Sequence, residues 1–394
     1  MRILQFCNKS PYPPKEGGPI AMNALTELLI RQGHCVKVLA INTPKYTVHS
    51  ENIDKVYLQK TGIELVWVNT RFRLWGALKS LLRNTSYHVD RFQSEQLTQK
   101  LKELLLKEDF DTVILETVYL SNYVKLIRKH SSAKIILRAH NVEHLIWKQI
   151  AKNTHQRIKK YYLSLLAKQL ERFERNAISL FDVIFCISPT DGLWFCEQNK
   201  DIPVRIVPFG VDIDIDASLQ DAYPFRCDNL FSIASMDWYP NLEGIRWFLD
   251  NVWEKIHCLY PELVFRIAGR NMPDSLKHLH IQNVEITGEV ADAKLFMQEN
   301  GILIVPLWSG SGVRIKIVEA MAIGKVVITT SIGLEGIMAI DKKHVLIANT
   351  PQMFVEAVTF CMENPVACEQ IGKNAQQLIN EMHNNNRITI QLDK

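Results

Sequence analysis

Twice along this chain, short apolar runs of strand length alternate with amphipathic stretches of helical period, and that alternation admits few architectures. The first series comprises residues 1–6, 35–41, 64–68, 112–115, 134–138 and 183–187. The second begins near Leu230 with FSIAS, LVFRIAG, VEITG, ILIVP, VVITT and HVLIA. Strands joined through helices pair in parallel, and a parallel sheet covered on both faces needs runs that are apolar throughout. Two such series in 394 residues predict two doubly wound, Rossmann-like α/β domains. The join is expected at 206–216, where PFGVDIDID brings proline, glycine and charge after an apolar run. The expected domains are therefore residues 1–205 and 206–375. A last helical pattern at 368–382 is long enough to cross back, so about 376–394 should complete the first domain.

Composition narrows the function classes. With 47% hydrophobic and 22% charged residues, the chain is that of an ordinary globular protein. A formal charge of +4 is small for this length and gives no nucleic-acid footprint. The eight cysteines lack a Cys-x-x-Cys pair and a histidine ladder, and are read as core thiols of a reducing compartment. The first residues have no signal-peptide core, and no apolar stretch reaches membrane-spanning length, so a cytoplasmic protein is expected.

The most informative segment is 304–336, IVPLWSGSGVRIKIVEAMAIGKVVITTSIGLEG, which reads as strand, glycine-serine loop, helix, glycine stop and strand. A helix N-terminus with unsatisfied N–H groups follows a loop in which Gly310 and Gly312 allow close backbone approach to an anion such as a diphosphate. Arg314 is expected in the first helical turn. Lys316 and Glu319, three apart, share one face, while Val313, Ile317, Ala320 and Met321 form the opposite, core-facing stripe. The cations could neutralise a departing diphosphate, and the carboxylate could accept from both hydroxyls of a ribose. The plainer alternative is a surface Lys-Glu pair.

Other segments carry weaker signals. Gly17 and Gly18 stand between the first strand and the first helix, suited to backbone approach, although a Gly-Gly pair is also an ordinary turn. The absence of Gly-x-Gly-x-x-Gly argues against a dinucleotide site. His140 and Glu116 each end an apolar strand, where open α/β sheets place ligands. A neutral His140 could donate to a ligand hydroxyl, and Asn141 is expected to cap the following helix. Asp212, Asp214 and Asp216 alternate in VDIDID, which reads as an exposed strand or linker, and no metal is expected. Segment 71–83, RFRLWGALKSLLR, interleaves Arg71, Arg73, Lys79 and Arg83 with apolar residues. It suits either an interfacial helix on an anionic membrane or a helix packed on its own domain. The lysine-rich stretch 148–168 adds charge to the former possibility.

Across nearly the whole chain the sequence resembles the family 4 GT-B glycosyltransferases. The likeness runs through GGPIAMNALTELLIRQGHCVKVL, AHN at His140, VIFCISPTD, VPFGVD at Gly210, AGR at Gly269, TGEV at Gly288 and, most specifically, the segment containing Glu319. The resemblance implies two domains facing a cleft and retaining, metal-independent sugar transfer. The donor, a nucleotide-diphosphate sugar, would lie on the C-terminal domain, with a glycan or lipid-linked acceptor on the N-terminal one and no cofactor. It places His140 with Arg314 and Lys316 as catalytic residues. Gly17, Gly18, Gly210, Arg270, Val290, Ser311, Gly312, Val313 and Glu319 fall on the donor nucleotide and diphosphate, and Glu116, Asn141, Ser309 and Gly310 on acceptor or sugar.

Glu319 matches the second glutamate of the family's Glu-x7-Glu element, whereas Ser311 stands where the first is expected. At SMDWYPNLEG, after Ser235, many relatives place an arginine and a lysine, for which Arg314 and Lys316 would substitute here. A nucleotide-sugar epimerase of the same fold and a non-catalytic nucleotide-sugar-binding subunit are the alternatives.

Overall fold

The computed structural model describes residues 1–71, 75–76, 80, 85–154, 156–211, 226–310, 312–384, 388, 390 and 392. The chain forms two compact units, Met1–Gly210 with Ile388–Lys394, and Val211–Arg387. The boundary falls five residues beyond the expected one, because a short strand at 204–206 still pairs within the first sheet.

In the first unit, β1 (Arg2–Cys7), β2 (Cys35–Asn42), β3 (Glu64–Trp67), β4 (Thr112–Leu115), β5 (Lys134–Ala139), β6 (Val183–Cys186) and β7 (Val204–Ile206) form one sheet in the order β3-β2-β1-β4-β5-β6-β7. Every pairing is parallel. In the second unit, β8 (Asn229–Ile233), β9 (Val264–Ala268), β10 (Val284–Gly288), β11 (Ile302–Val305), β12 (Val326–Thr329) and β13 (Leu346–Ile347) form a sheet in the order β10-β9-β8-β11-β12-β13. Both orders run outward from a first strand and then reverse. Each sheet therefore has a switch point, β1/β4 in one and β8/β11 in the other, where the loops leaving the carboxyl ends diverge and leave room for a ligand.

Burial explains why these runs are strands. β4, β6, β11 and β12 are buried at every position, as strands sandwiched between helices require. The helices needed below are α1 (Gly17–Arg31), α2 (Glu143–Asn153), α3 (Arg157–Ala177), α4 (Tyr239–Phe248), α5 (Ile315–Ala322), α6 (Pro351–Glu363) and α7 (Pro365–Met382). α1 turns Ala21, Met22, Leu25, Leu28 and Leu29 onto the sheet, a stripe at helical spacing. In the second unit α4 lies tight on the sheet, since a Cβ on Gly244 would come within 2.3 Å of the Pro306 carbonyl oxygen.

The C-terminal helix departs from expectation. α7 packs on α5, belongs wholly to the second unit and does not itself cross back. The return comes only at Ile388, after which Ile390 and Leu392 bury themselves beside Ile3, Val36 and Val183. Of the eight cysteines, Cys7, Cys186, Cys361 and Cys368 are buried core thiols, but Cys35, Cys196 and Cys258 are exposed. Among the described residues, no helix is long and apolar enough to cross a membrane.

Candidate active site

In the second unit the chain leaves β11 through Pro306 and Leu307 into the glycine loop, and α5 follows. Gly310 and Gly312 both sit at positive φ, +103° and +83°, where a side chain would be strained. A Cβ on Gly310 would also come within 2.8 Å of the Trp238 ring. α5 opens at Ile315, so Arg314 stands at its N-cap rather than within its first turn. Arg314 is 6% exposed. Its Nη1 donates to the Gly312 carbonyl, and its guanidinium lies 5.4 Å from the Trp238 ring centre. Val313 is half-buried and precedes the helix. The stripe facing the core is instead Ile317, Val318, Ala320 and Met321, all fully buried.

Lys316 and Glu319 do not pair with each other as the surface alternative supposes. Lys316 Nζ donates to Asn241 Oδ1 at 2.9 Å, and Asn241 Nδ2 in turn donates to the Ser235 carbonyl at 2.9 Å. Burial, with Arg314 close by, pulls the Lys316 ammonium down to about 7. Burial likewise pushes the Glu319 carboxyl up to about 7, against a small opposing pull from Lys294. Among the described residues no hydrogen bond or ion pair holds that carboxylate. Two groups poised at the same pH on one short helix gain most from a ligand that brings an anion to one and hydroxyl donors to the other.

The facing wall of the site comes from the loop after β8, which the strand order sets beside the loop after β11. Trp238, Asn241 and Glu243 stand at or near the start of α4. Glu243 Oε2 accepts from Ser309 Oγ at 2.8 Å, and Ser309 is 2% exposed. Asp237 accepts from Ser235 Oγ at 2.6 Å. Sequence reasoning passed over Asn241 and Glu243 as site residues. Pro240 at the start of a helix that follows an apolar strand was the available signal, because such a helix presents its first turn at the ligand end of the sheet. Arg270 follows β9, and its Nε pairs with Glu289 at 3.3 Å. Val290 is half-buried in the loop after β10. Ser311 and the three aspartates 212, 214 and 216 lie outside the described residues. Among the described residues, no group of three or more potential ligands is placed to hold a metal.

At the switch point of the first unit, Glu116 follows β4 directly and His140 follows β5. Glu116 was expected to reach an acceptor, but it is 1% exposed and committed to protein partners. Its Oε1 accepts from Gln5 Nε2 at 2.5 Å and lies 3.7 Å from Arg138 Nη1, while its Oε2 meets His140 Nε2 at 2.7 Å. Burial raises the Glu116 carboxyl, but Arg138 and His140 more than offset it, so it stays ionised. Burial also lowers the His140 imidazole, leaving it neutral near pH 7. An ionised carboxylate can only accept, so Nε2 carries the proton and His140 presents Nδ1 as an acceptor. This corrects the expectation that His140 donates to a ligand hydroxyl.

Asn141 does not cap α2; Val142 occupies the N-cap position. The first N–H groups of α2 are satisfied from elsewhere, since Glu174 of α3 accepts from the N–H groups of Glu143 and His144 at 3.0 and 3.2 Å. Glu143, overlooked in the sequence, accepts from Tyr119 Oη at 2.7 Å. Burial pushes its carboxyl up to about 7, with Glu174 and Asp191 adding to the effect. α1 opens at Gly17, so Gly17 and Gly18 do lie at a helix N-terminus, and Lys9 approaches there: a Cβ on Gly18 would meet Lys9 Cε at 2.8 Å. Gly210 is buried and closes the first unit. In the basic segment, Arg73, Lys79 and Arg83 lie outside the described residues, and the Arg71 N–H donates to Asn69 Oδ1.

Residues 228–364 match the family model described as "Glycosyl transferases group 1". An "Uncharacterized 44.6 kDa protein in cps region" of Klebsiella pneumoniae is 24% identical over 98% of this chain and 97% of its own length. Among solved structures, the sucrose-phosphate synthase of Thermosynechococcus elongatus superposes with a TM-score of 0.70 at 13% identity, covering 98% of this chain and 96% of that one. HepE of Anabaena, solved with UDP and glucose, gives 0.63 at 16% identity, covering 98% and 96%. Residues 228–364 are thus similar to the group 1 glycosyltransferases, and the chain as a whole has the two-domain GT-B fold.

Proposed function

We propose that this protein is a retaining, metal-independent glycosyltransferase that moves a sugar from a nucleotide-diphosphate sugar to a glycan or lipid-linked acceptor, in the making of a cell-surface polysaccharide. One observation carries the reading. A glycine loop and helix N-terminus at the switch point of the second unit join Arg314, Lys316 and Glu319 in the order a diphosphate and a ribose require. The N–H groups of the loop and the positive end of α5 take the diphosphate. Arg314 and Lys316 stabilise the charge that grows on it as the glycosidic bond breaks. Lys316, held near its neutral point, gains a proton as the anion arrives, and Glu319 accepts from the ribose hydroxyls once ionised.

Catalysis then needs no metal and no side-chain nucleophile. The leaving diphosphate accepts the acceptor's proton on the face it departs from, which yields retention. In the first unit, the Glu116-oriented His140 accepts a hydroxyl hydrogen bond through Nδ1. The resemblance of the chain to family 4 and the cps-region relative support the polysaccharide context. An anionic membrane surface is the further partner that segment 71–83 would meet.

The test is turnover with nucleotide-diphosphate sugars and an extract of lipid-linked glycans, in the presence of EDTA. Acceptor-dependent release of nucleoside diphosphate and an unchanged anomeric configuration in the product are expected. Turnover without acceptor to an epimerised donor would overturn the proposal, as would activity lost in EDTA and restored by manganese.

A further inference from the structure

The donor site holds one carboxylate that the proposed chemistry leaves unused. Along α5, Glu319 lies about 4.5 Å from Lys316 in axial rise, Arg314 follows at the N-cap, and the glycine loop lies beyond it. A nucleoside diphosphate sugar has the same linear order of ribose, diphosphate and sugar. With Glu319 on the ribose, and the two cations and the end of the loop next to α5 on the diphosphate, the sugar falls at the start of the glycine loop, at Ser309 and Gly310. There Glu243, brought from α4 by the tight packing of Gly244 on Pro306, is held to Ser309 through one oxygen. Trp238, 36% exposed, covers the neighbouring Gly310. An ionised carboxylate offers only acceptors, which suits the hydroxyls of a neutral hexose. The same charge repels a sugar that carries a carboxylate of its own.

Resting on the reading of this site as a donor site, we propose that Glu243 reads the donor sugar, accepting hydrogen bonds from the hydroxyls of a neutral hexose and turning away hexuronate donors. Ser309 fixes the rotamer of Glu243 and leaves its second oxygen for the sugar. The specificity rests in the second unit and is set by a residue 66 positions away from the loop it serves.

Calorimetric titration of the full chain tests this in two steps. UDP, GDP and ADP are titrated first to find the base. The neutral hexose donor and the hexuronate donor of that base are then compared. The neutral donor should bind at least about tenfold tighter than the hexuronate, the discrimination expected of an uncompensated like charge in a fitted site. Glu243→Gln should bring that ratio within about threefold, because the amide removes the repulsion felt by the hexuronate carboxylate, whereas any effect on the diphosphate is common to both donors and cancels in the ratio. Equal affinity of the wild-type chain for the two donors overturns the assignment even if the variant fails to fold. Binding of none of the three nucleoside diphosphates overturns the donor-site reading itself, a result distinguishable from the first.

Discussion

The two switch points of this molecule hold similar residue types in opposite conditions. At β1/β4, Gln5 and His140 hydrogen-bond the buried, ionised Glu116, and Arg138 lies 3.7 Å from it as its counter-charge. At β8/β11, Lys316 and Glu319 are drawn out of water without an opposite charge close enough to offset burial, and both shift to about 7. The first arrangement is a finished piece of structure that orients one imidazole. In the second, burial outweighs the opposing charges within reach. Buried charge therefore does not by itself mark a binding site; buried charge that the protein has not answered is the more telling sign.

Removing one charge at each place should separate the two roles. Glu116→Ala leaves Arg138 buried without its carboxylate and should cost the first unit about 3–5 kcal/mol in urea unfolding. A loss below about 1 kcal/mol would mean that the network is not what stabilises β4 and β5. Arg314→Ala should instead lower turnover by roughly a hundredfold while disturbing the unfolding transition much less than Glu116→Ala does. Lys316→Ala should behave alike. Because both cations would act on one diphosphate, the double variant should lose less than the product of the single losses. Near-normal turnover in both single variants would hand the diphosphate to Arg270, which follows β9.

Glu319→Ala should weaken nucleoside diphosphate binding by about 1–3 kcal/mol without affecting folding, and unchanged affinity in calorimetry would remove the ribose from that carboxylate. The smallest effect is the pH profile. Lys316 is charged below about 7 and Glu319 is ionised above about 7, and binding needs both charges. Affinity for the nucleoside diphosphate should therefore peak near pH 7 and fall on each side, by at most about tenfold per pH unit. Lys316→Met should remove the alkaline fall and Glu319→Gln the acid one. A flat wild-type profile from pH 6 to 8 would show that neither group titrates in the site.

Much of this was legible in the residues. The strand runs were found because burial on both faces of a parallel sheet demands uninterrupted apolar residues. The glycine loop, α5 and its stop at Gly324 were found because positive φ and helical period are local requirements. Less legible were the ends of elements. Arg314 reads as helical but stands at the N-cap position, and Asn141 reads as a cap although Glu174 from α3 serves the N–H groups of α2. A capping group from a distant helix leaves no mark in the sequence beside the helix it serves.

By itself, the sequence determined two doubly wound α/β units, the carboxyl-end loops where ligands meet them, and the cations and carboxylate carried on α5. These follow from periodicity and glycine placement, which act over a few residues. Only the tertiary structure decided which side chains meet across the chain: Gln5 with Glu116, 111 positions apart, Asn241 with Lys316, 75 apart, and Glu243 with Ser309. It also decided which groups are ionised, because a pKa depends on the water and charges displaced around a group, and packing sets both.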